Sequence, residues 1–346
     1  MEKKELSRRR FLQVAGSVAA GGFIMAGAGS LLYRMFAKPE ELFYEPSDSS
    51  SGTSGKNSFV SPYESIAQFS VDGDISAFTL WKDMMAVATG QQLKLYSTEG
   101  SLKQQFTVED EVRDLTVDSD GWLYVLMPQQ IDVFDSQGKR TRSWKACDEN
   151  ADYCGLTVLG EQVFVTDAQN KLICNYRTDG NFVKFIKSPH GFVVPSYSFG
   201  ITHIDGRVYC SNPGRHLVEV YDAEGTYLSS FGKAGTGEGQ FSGCCNPVYL
   251  ASSPSGELIT SEKGIPRISC YGTDGTFRSV LLPQEALGGG HDASRVMTQQ
   301  DKLIVARKST IELYQYNPAL ARSGARLSSK CPTCDVPCPL RDGITI

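Results

Sequence analysis

An apolar stretch ending in an aromatic residue, with glycine four positions later, recurs along the middle of this chain. It appears at Tyr96/Gly100, Phe134/Gly138, Tyr176/Gly180, Tyr221/Gly225 and Tyr271/Gly275, and Tyr314 supplies a sixth aromatic. Successive aromatics lie 38, 42, 45, 50 and 43 residues apart. A period of this length suits a four-stranded propeller blade better than a helical solenoid. Each unit also repeats its short β-runs, as in Leu156 to Val158, Val163 to Thr166, Leu172 to Tyr176 and Phe182 to Ile186. Asp179-Gly180, Glu224-Gly225 and Asp274-Gly275 are hairpin signals, because glycine accepts the positive φ of tight turns. The expectation is an all-β, six-bladed β-propeller over residues 64–317.

The repeat also predicts how the ring closes. Five units carry an outer strand after the glycine, whereas the chain beyond Tyr314 reaches Pro318 and loses the pattern. Ile66 to Val71 is a strand with no unit of its own, so it is expected to complete the sixth blade. Closure removes a pair of sheet edges that would otherwise invite aggregation.

The segment Phe231-Gly232-Lys233-Ala234-Gly235-Thr236-Gly237-Glu238-Gly239-Gln240-Phe241, followed by Pro247, resembles the linker between blades of the NHL-repeat propeller family. Asp167-Ala168-Gln169-Asn170 is similar to that family's turn between second and third strands, and Arg215 and Arg267 sit near the arginine of that turn. The resemblance covers about residues 65–317 and is strongest in blades three to five. The glycine-rich run lacks the Lys-Ser/Thr and following helix of a phosphate-cradling loop.

Residues 1–36 read as an address. Ser7-Arg8-Arg9-Arg10-Phe11-Leu12-Gln13 precedes the apolar, small-residue run Val14 to Leu32 and resembles a twin-arginine export signal, with Arg8, Arg9, Phe11 and Leu12 as its recognised elements. This implies export of a folded protein to the periplasm or the outer face of the cytoplasmic membrane. Ala26-Gly27-Ala28 offers a cleavage site; uncleaved, Phe11 to Leu32 is long enough to anchor the chain in a bilayer. Residues 37–63, with Ser-Asp-Ser-Ser-Ser-Gly-Thr-Ser-Gly at their centre, read as a flexible linker. A net charge of -5 supplies no basic footprint, which sets nucleic acid aside as a partner.

Residues 318–346 form a Cys-rich C-terminal tail. Cys331, Cys334 and Cys338 follow the pattern C-x2-C-x3-C-P, which resembles the last three ligands of a bacterial ferredoxin run. The position of the first ligand is Ser328, so a fourth thiolate must come from elsewhere. Cys244 and Cys245 in the body, or Cys147 or Cys154, are candidates to complete an iron–sulfur cluster or a zinc site. Disulfide pairing, free thiols and catalytic redox use remain open alongside metal binding. Adjacent cysteines more often serve separate partners than each other. In a propeller, outer-to-inner links share one face, so these four body thiols are expected to open toward it. Cys174, Cys210 and Cys270 lie within strands and read as small apolar residues.

Glu262, Lys263 and Arg267 alternate in charge around Gly264, and charged turns on one rim are where propellers bind partners. They read either as a solvated turn stabilised by local pairs or as the candidate partner-binding rim. His203 and His291 lie near inner strands, where each reads as a structural histidine or as one lining the central channel. The leading functional expectation is a non-enzymatic binding scaffold for a protein partner in an extracytoplasmic redox complex. Two alternatives stand beside it: electron transfer through a metal site of the tail, and a propeller hydrolase or lyase with a metal at the channel mouth.

Overall fold

The computed structural model describes residues 61–288 and 291–320. The export signal with Arg8, Arg9, Phe11 and Leu12, nearly all of the linker, and the tail thiols Cys331, Cys334 and Cys338 lie outside the described residues.

A leading strand, β1 (Tyr63–Ser70), is followed by blade one: β2 (Ala77–Trp81), β3 (Met84–Thr89), β4 (Gln92–Ser97) and β5 (Leu102–Thr107). Blade two is β6 (Asp114–Val117), β7 (Leu123–Met127), β8 (Gln130–Phe134) and β9 (Arg140–Lys145). Blade three is β10 (Tyr153–Leu159), β11 (Gln162–Asp167), β12 (Leu172–Arg177) and β13 (Phe182–Ile186). Blade four is β14 (Ile201–Ile204), β15 (Arg207–Asn212), β16 (Leu217–Tyr221) and β17 (Tyr227–Phe231). Blade five is β18 (Tyr249–Ser252), β19 (Leu258–Glu262), β20 (Arg267–Tyr271) and β21 (Phe277–Leu282). The last three strands are β22 (Arg295–Gln299), β23 (Lys302–Arg307) and β24 (Thr310–Tyr316).

Each blade is an antiparallel sheet in chain order, except the sixth, whose order is β22, β23, β24, β1. The N-terminal strand therefore supplies the missing outer strand, pairing from Tyr63 opposite Tyr316 to Ser70 opposite Thr310. It begins three residues before Ile66, the predicted start. A bulge between Ser65 and Ala67 leaves Ile66 out of the pairing and exposed. Packing of β2, β6, β10, β14, β18 and β22 against one another closes the inner ring. The fold is an all-β, six-bladed propeller.

The repeated aromatic and glycine bind one blade to the next. Tyr96 packs on Phe69 of β1, Phe134 on Phe106, Tyr176 on Trp144 and Tyr271 on Phe231, with ring centroids 5.6–6.3 Å apart. In each case the second ring belongs to the outer strand of the preceding blade. The glycine beyond the aromatic faces the same side chain: a Cβ on Gly275 would lie 2.4 Å from Phe231 Cγ. Gly275 also has φ +82°, so turn geometry and close approach both require glycine there. Burying each of these rings contributes about 2–3 kcal/mol. Phe69 takes the same part toward Tyr96 and Gly100, which makes β1 an outer strand equivalent to those of the other blades.

Candidate functional site

In a four-stranded antiparallel blade, the link from the outer strand to the next inner strand and the turn between second and third strands fall on one face. Three such segments meet between blades four and five. The link from β17 to β18 first folds back on itself, with Ala234 bridging Phe241 and Phe241 N–H donating to the Lys233 carbonyl at 2.8 Å. Phe241 is fully buried beside Tyr271, so the glycine-rich run is a loop pinned by its closing aromatic.

Beyond that anchor come Cys244, Cys245 and Asn246. The Asn246 side chain clamps the β19–β20 turn by accepting from Lys263 N–H at 2.9 Å and donating to the Lys263 carbonyl at 2.8 Å. This fixes Lys263 over the cysteine pair. The third segment is the link from β13 to β14, where Ser196 (φ +64°) and Tyr197 (φ +56°) both occupy the left-handed region. Non-glycine residues there carry a backbone cost of roughly 1–2 kcal/mol each.

These segments assemble a small polar cluster. Cys245 is fully buried and its Sγ lies 3.1 Å from Cys244 Sγ and 3.4 Å from Ser196 Oγ. Lys263 Nζ donates to the same Ser196 Oγ at 3.4 Å. Cys244 is exposed. Burial works to raise the Cys245 thiol, but hydrogen bonds with Lys263, Ser196 and Cys244 and the Lys263 charge outweigh it, so the net direction is downward. Cys244 moves up, chiefly because it hydrogen-bonds to Cys245. The two directions are opposite, so negative charge is favoured on Cys245, beside the ammonium, over Cys244. By contrast, burial pushes Cys154 and Cys270 up to about 12 and raises Cys210 as well.

The four junction thiols do not converge. Cys147 turns toward its own blade, its Sγ 3.9 Å from Cys174 Sγ, while Cys154 Sγ contacts the Asp152 carbonyl at 3.5 Å. Both serve the entrance to blade three, and blade four separates them from Cys244 and Cys245. Among the described residues, no group of three or more His, Cys, Asp or Glu is placed to hold a metal ion. Cys244 and Cys245 can supply two soft ligands, and any others must come from beyond the described residues.

The expected charged rim is also revised. Glu262 and Arg267 are buried and paired at 2.9 Å, and Ser269 Oγ donates to Glu262 at 2.9 Å. A short contact from Arg267 to the Gln240 carbonyl ties this pair to the glycine-rich loop. They hold the turn together, leaving Lys263 as the more open member of the trio. Burial of Glu262 follows from its place as the last residue of β19, whose five residues are all buried.

The channel is bridged at the same face. Arg295, opening β22, reaches past blade one to Asp114 at 3.1 Å, stacks 4.5 Å over Tyr249, and donates to the Arg113 carbonyl. Asp114 also accepts from Leu156 N–H at 3.1 Å. Burial raises the Asp114 carboxyl, opposed by Arg295 and by the backbone N–H groups of Leu156 and Leu115. His203 lies deeper, with Nδ1 2.8 Å from Thr157 Oγ1, and burial lowers its pKa. His291 is held by its backbone, its carbonyl accepting from Gly264 N–H at 2.8 Å. Sequence reasoning missed Ser196, Asp114 and Arg295. Ser196 carries no local motif and emerges when neighbouring links are set side by side, whereas a charged residue opening an inner strand was a usable signal for Asp114 and Arg295.

No known family model matches this sequence, and no curated protein matches it. Solved structures do share its fold. A streptogramin B lyase structure is 15% identical with a TM-score of 0.57, covering 74% of this chain and 98% of that one. Virginiamycin B lyase from Staphylococcus aureus, in a catalytically inactive form with quinupristin, is 11% identical with a TM-score of 0.52, covering 73% and 99%. A Bacteroides thetaiotaomicron protein of unknown function is 11% identical with a TM-score of 0.54, covering 75% of each chain. At these identities the likeness is one of fold, which many functions share.

Proposed function

We propose that this chain is an exported, NHL-type propeller that serves as a binding scaffold for a protein partner in an extracytoplasmic redox assembly. The observation that carries the reading is the meeting of two blade links and one turn at Ser196, Cys244, Cys245 and Lys263. Tyr197 and Val193, in the same link as Ser196, are 39% and 41% exposed. Exposed apolar groups beside a charged, strained segment suit a docking surface better than a solvated loop. The twin-arginine resemblance and the tail cysteines support the address and the redox setting.

A lyase-type reading needs an acid–base group free to meet a substrate at the channel mouth. Asp114 and Arg295 instead engage each other there, which favours the scaffold.

The test is affinity capture of the full chain from the membrane fraction, comparing wild type with Val193→Asp and Tyr197→Asp. Both side chains are exposed, so both variants are expected to fold. One consistent partner that wild type retains and both variants lose supports the proposal; no consistent partner, or equal capture by all three, overturns it.

A further inference from the structure

We propose that Cys244 and Cys245 form a two-electron thiol–disulfide exchange site acting on solvent-exposed disulfides. This goes beyond a scaffold, and its readout needs no protein partner, so it stands or falls separately.

Three features of the site point there. The two sulfurs are 3.1 Å apart, close enough for a proton to pass between them and for one to attack the other. Cys244 is exposed while Cys245 is buried behind it, so an incoming disulfide meets Cys244 first. Lys263 and Ser196, from separate segments, converge at the inner sulfur, setting an ammonium and a hydroxyl beside it. Two histidines from neighbouring turns also reach this face: His216 Nε2 engages the Gly243 carbonyl at 2.7 Å, and His291 packs beside Gly264.

The chemistry balances without another reagent. Cys244 attacks one sulfur of R–S–S–R as its proton passes to the Cys245 thiolate; a mixed disulfide forms and one R–S⁻ leaves. Cys245 gives up that proton, favoured by Lys263, and attacks Cys244 Sγ. The Cys244–Cys245 disulfide forms and the second R–S⁻ leaves. The substrate disulfide gains two electrons and departs as two thiols, one proton coming from the cysteine pair and one from water. The pair loses the two electrons.

Reversal is also accessible. Across a trans peptide the two Cα atoms are about 3.8 Å apart, below the roughly 4.4–6.8 Å usual for a disulfide. A bond between neighbours is therefore strained and readily reopened by thiols, which suits cycling better than stapling.

The experiment mixes reduced full-length protein with oxidised glutathione, quenches with acid, and maps the peptide holding both cysteines by mass spectrometry. Wild type is expected to yield a peptide lighter by two hydrogen atoms and closed to alkylation. Cys245→Ser should stop with glutathione on Cys244, and Cys244→Ser should form no product at this site. Lys263→Met, which keeps both thiols, should slow closure several-fold, because it removes the cation beside the inner sulfur. Three results overturn the proposal: closure no faster than in urea-unfolded protein, no glutathione on Cys244 in Cys245→Ser, or sulfurs bonded instead to Cys331, Cys334 or Cys338. Should Cys245→Ser misfold, the wild-type rate against unfolded protein and the Lys263→Met rate still decide the matter.

Discussion

Cys154 shows how far reach and reactivity separate in this molecule. It is part-exposed, yet burial of its sulfur and then the Asp152 charge push the thiol up to about 12. A raised thiol pKa means that the protonated, unreactive form persists as pH climbs. At pH 8 the thiolate is about one part in ten thousand, and it grows about tenfold per pH unit. Labelling of native protein with iodoacetamide at pH 8, 9 and 10, followed by peptide mapping, is expected to show Cys154 accelerating about tenfold per unit without levelling. A plateau near pH 9, as for an ordinary thiol, would contradict the burial argument. Cys245 differs because its link places it against an ammonium and a hydroxyl rather than against strand backbone.

At the scale of elements, the repeated glycine is a steric requirement set by the neighbouring blade as well as a turn residue. Gly225 and Gly206 separate these two demands, since φ is +75° at one and +74° at the other. A Cβ on Gly225 would lie 2.3 Å from Ile186 Cδ1, whereas nothing lies within 4 Å of one on Gly206. Gly206→Ala is expected to cost about 1 kcal/mol from backbone conformation alone. Gly225→Ala should cost about 2–3 kcal/mol, the excess being the overpacking against β13. Urea unfolding of both variants measures the difference, and equal losses would remove the inter-blade role. This bears on how much of the fold was legible. The aromatic and glycine repeat, and the closing strand, could be read because the same contact recurs at blades one to five and leaves similar residues behind. Glu262 and Arg267 were misread because a charged residue ending a strand looks alike in sequence whether its pair faces water or the strand beneath. Ser196 and the Arg295–Asp114 bridge were invisible for a third reason: each joins segments whose adjacency exists only once the ring has closed.

Across the whole molecule, closure should decide how the propeller unfolds. An open array of repeats has ends that fray, with stability summed over neighbouring units. Here β1 pairs with β24, Phe69 packs against Tyr96 of blade one, and Arg295 ties blade six to blades two and five across the channel. No blade is terminal, so losing one opens two interfaces at once and the six should melt together. The chain offers a direct reading of this, because its three tryptophans, Trp81, Trp122 and Trp144, all lie in blades one and two. Tryptophan fluorescence therefore reports those two blades, while far-ultraviolet circular dichroism reports every strand. In urea the two transitions are expected to coincide for wild type. In Phe69→Ala, which weakens the seam by about 2 kcal/mol, the fluorescence midpoint should fall to lower urea. If the ring remains cooperative, the circular dichroism midpoint moves with it; if blade one instead detaches first, the two curves separate. Non-coincident curves in wild type would show that the blades unfold as a linear array despite the closing strand.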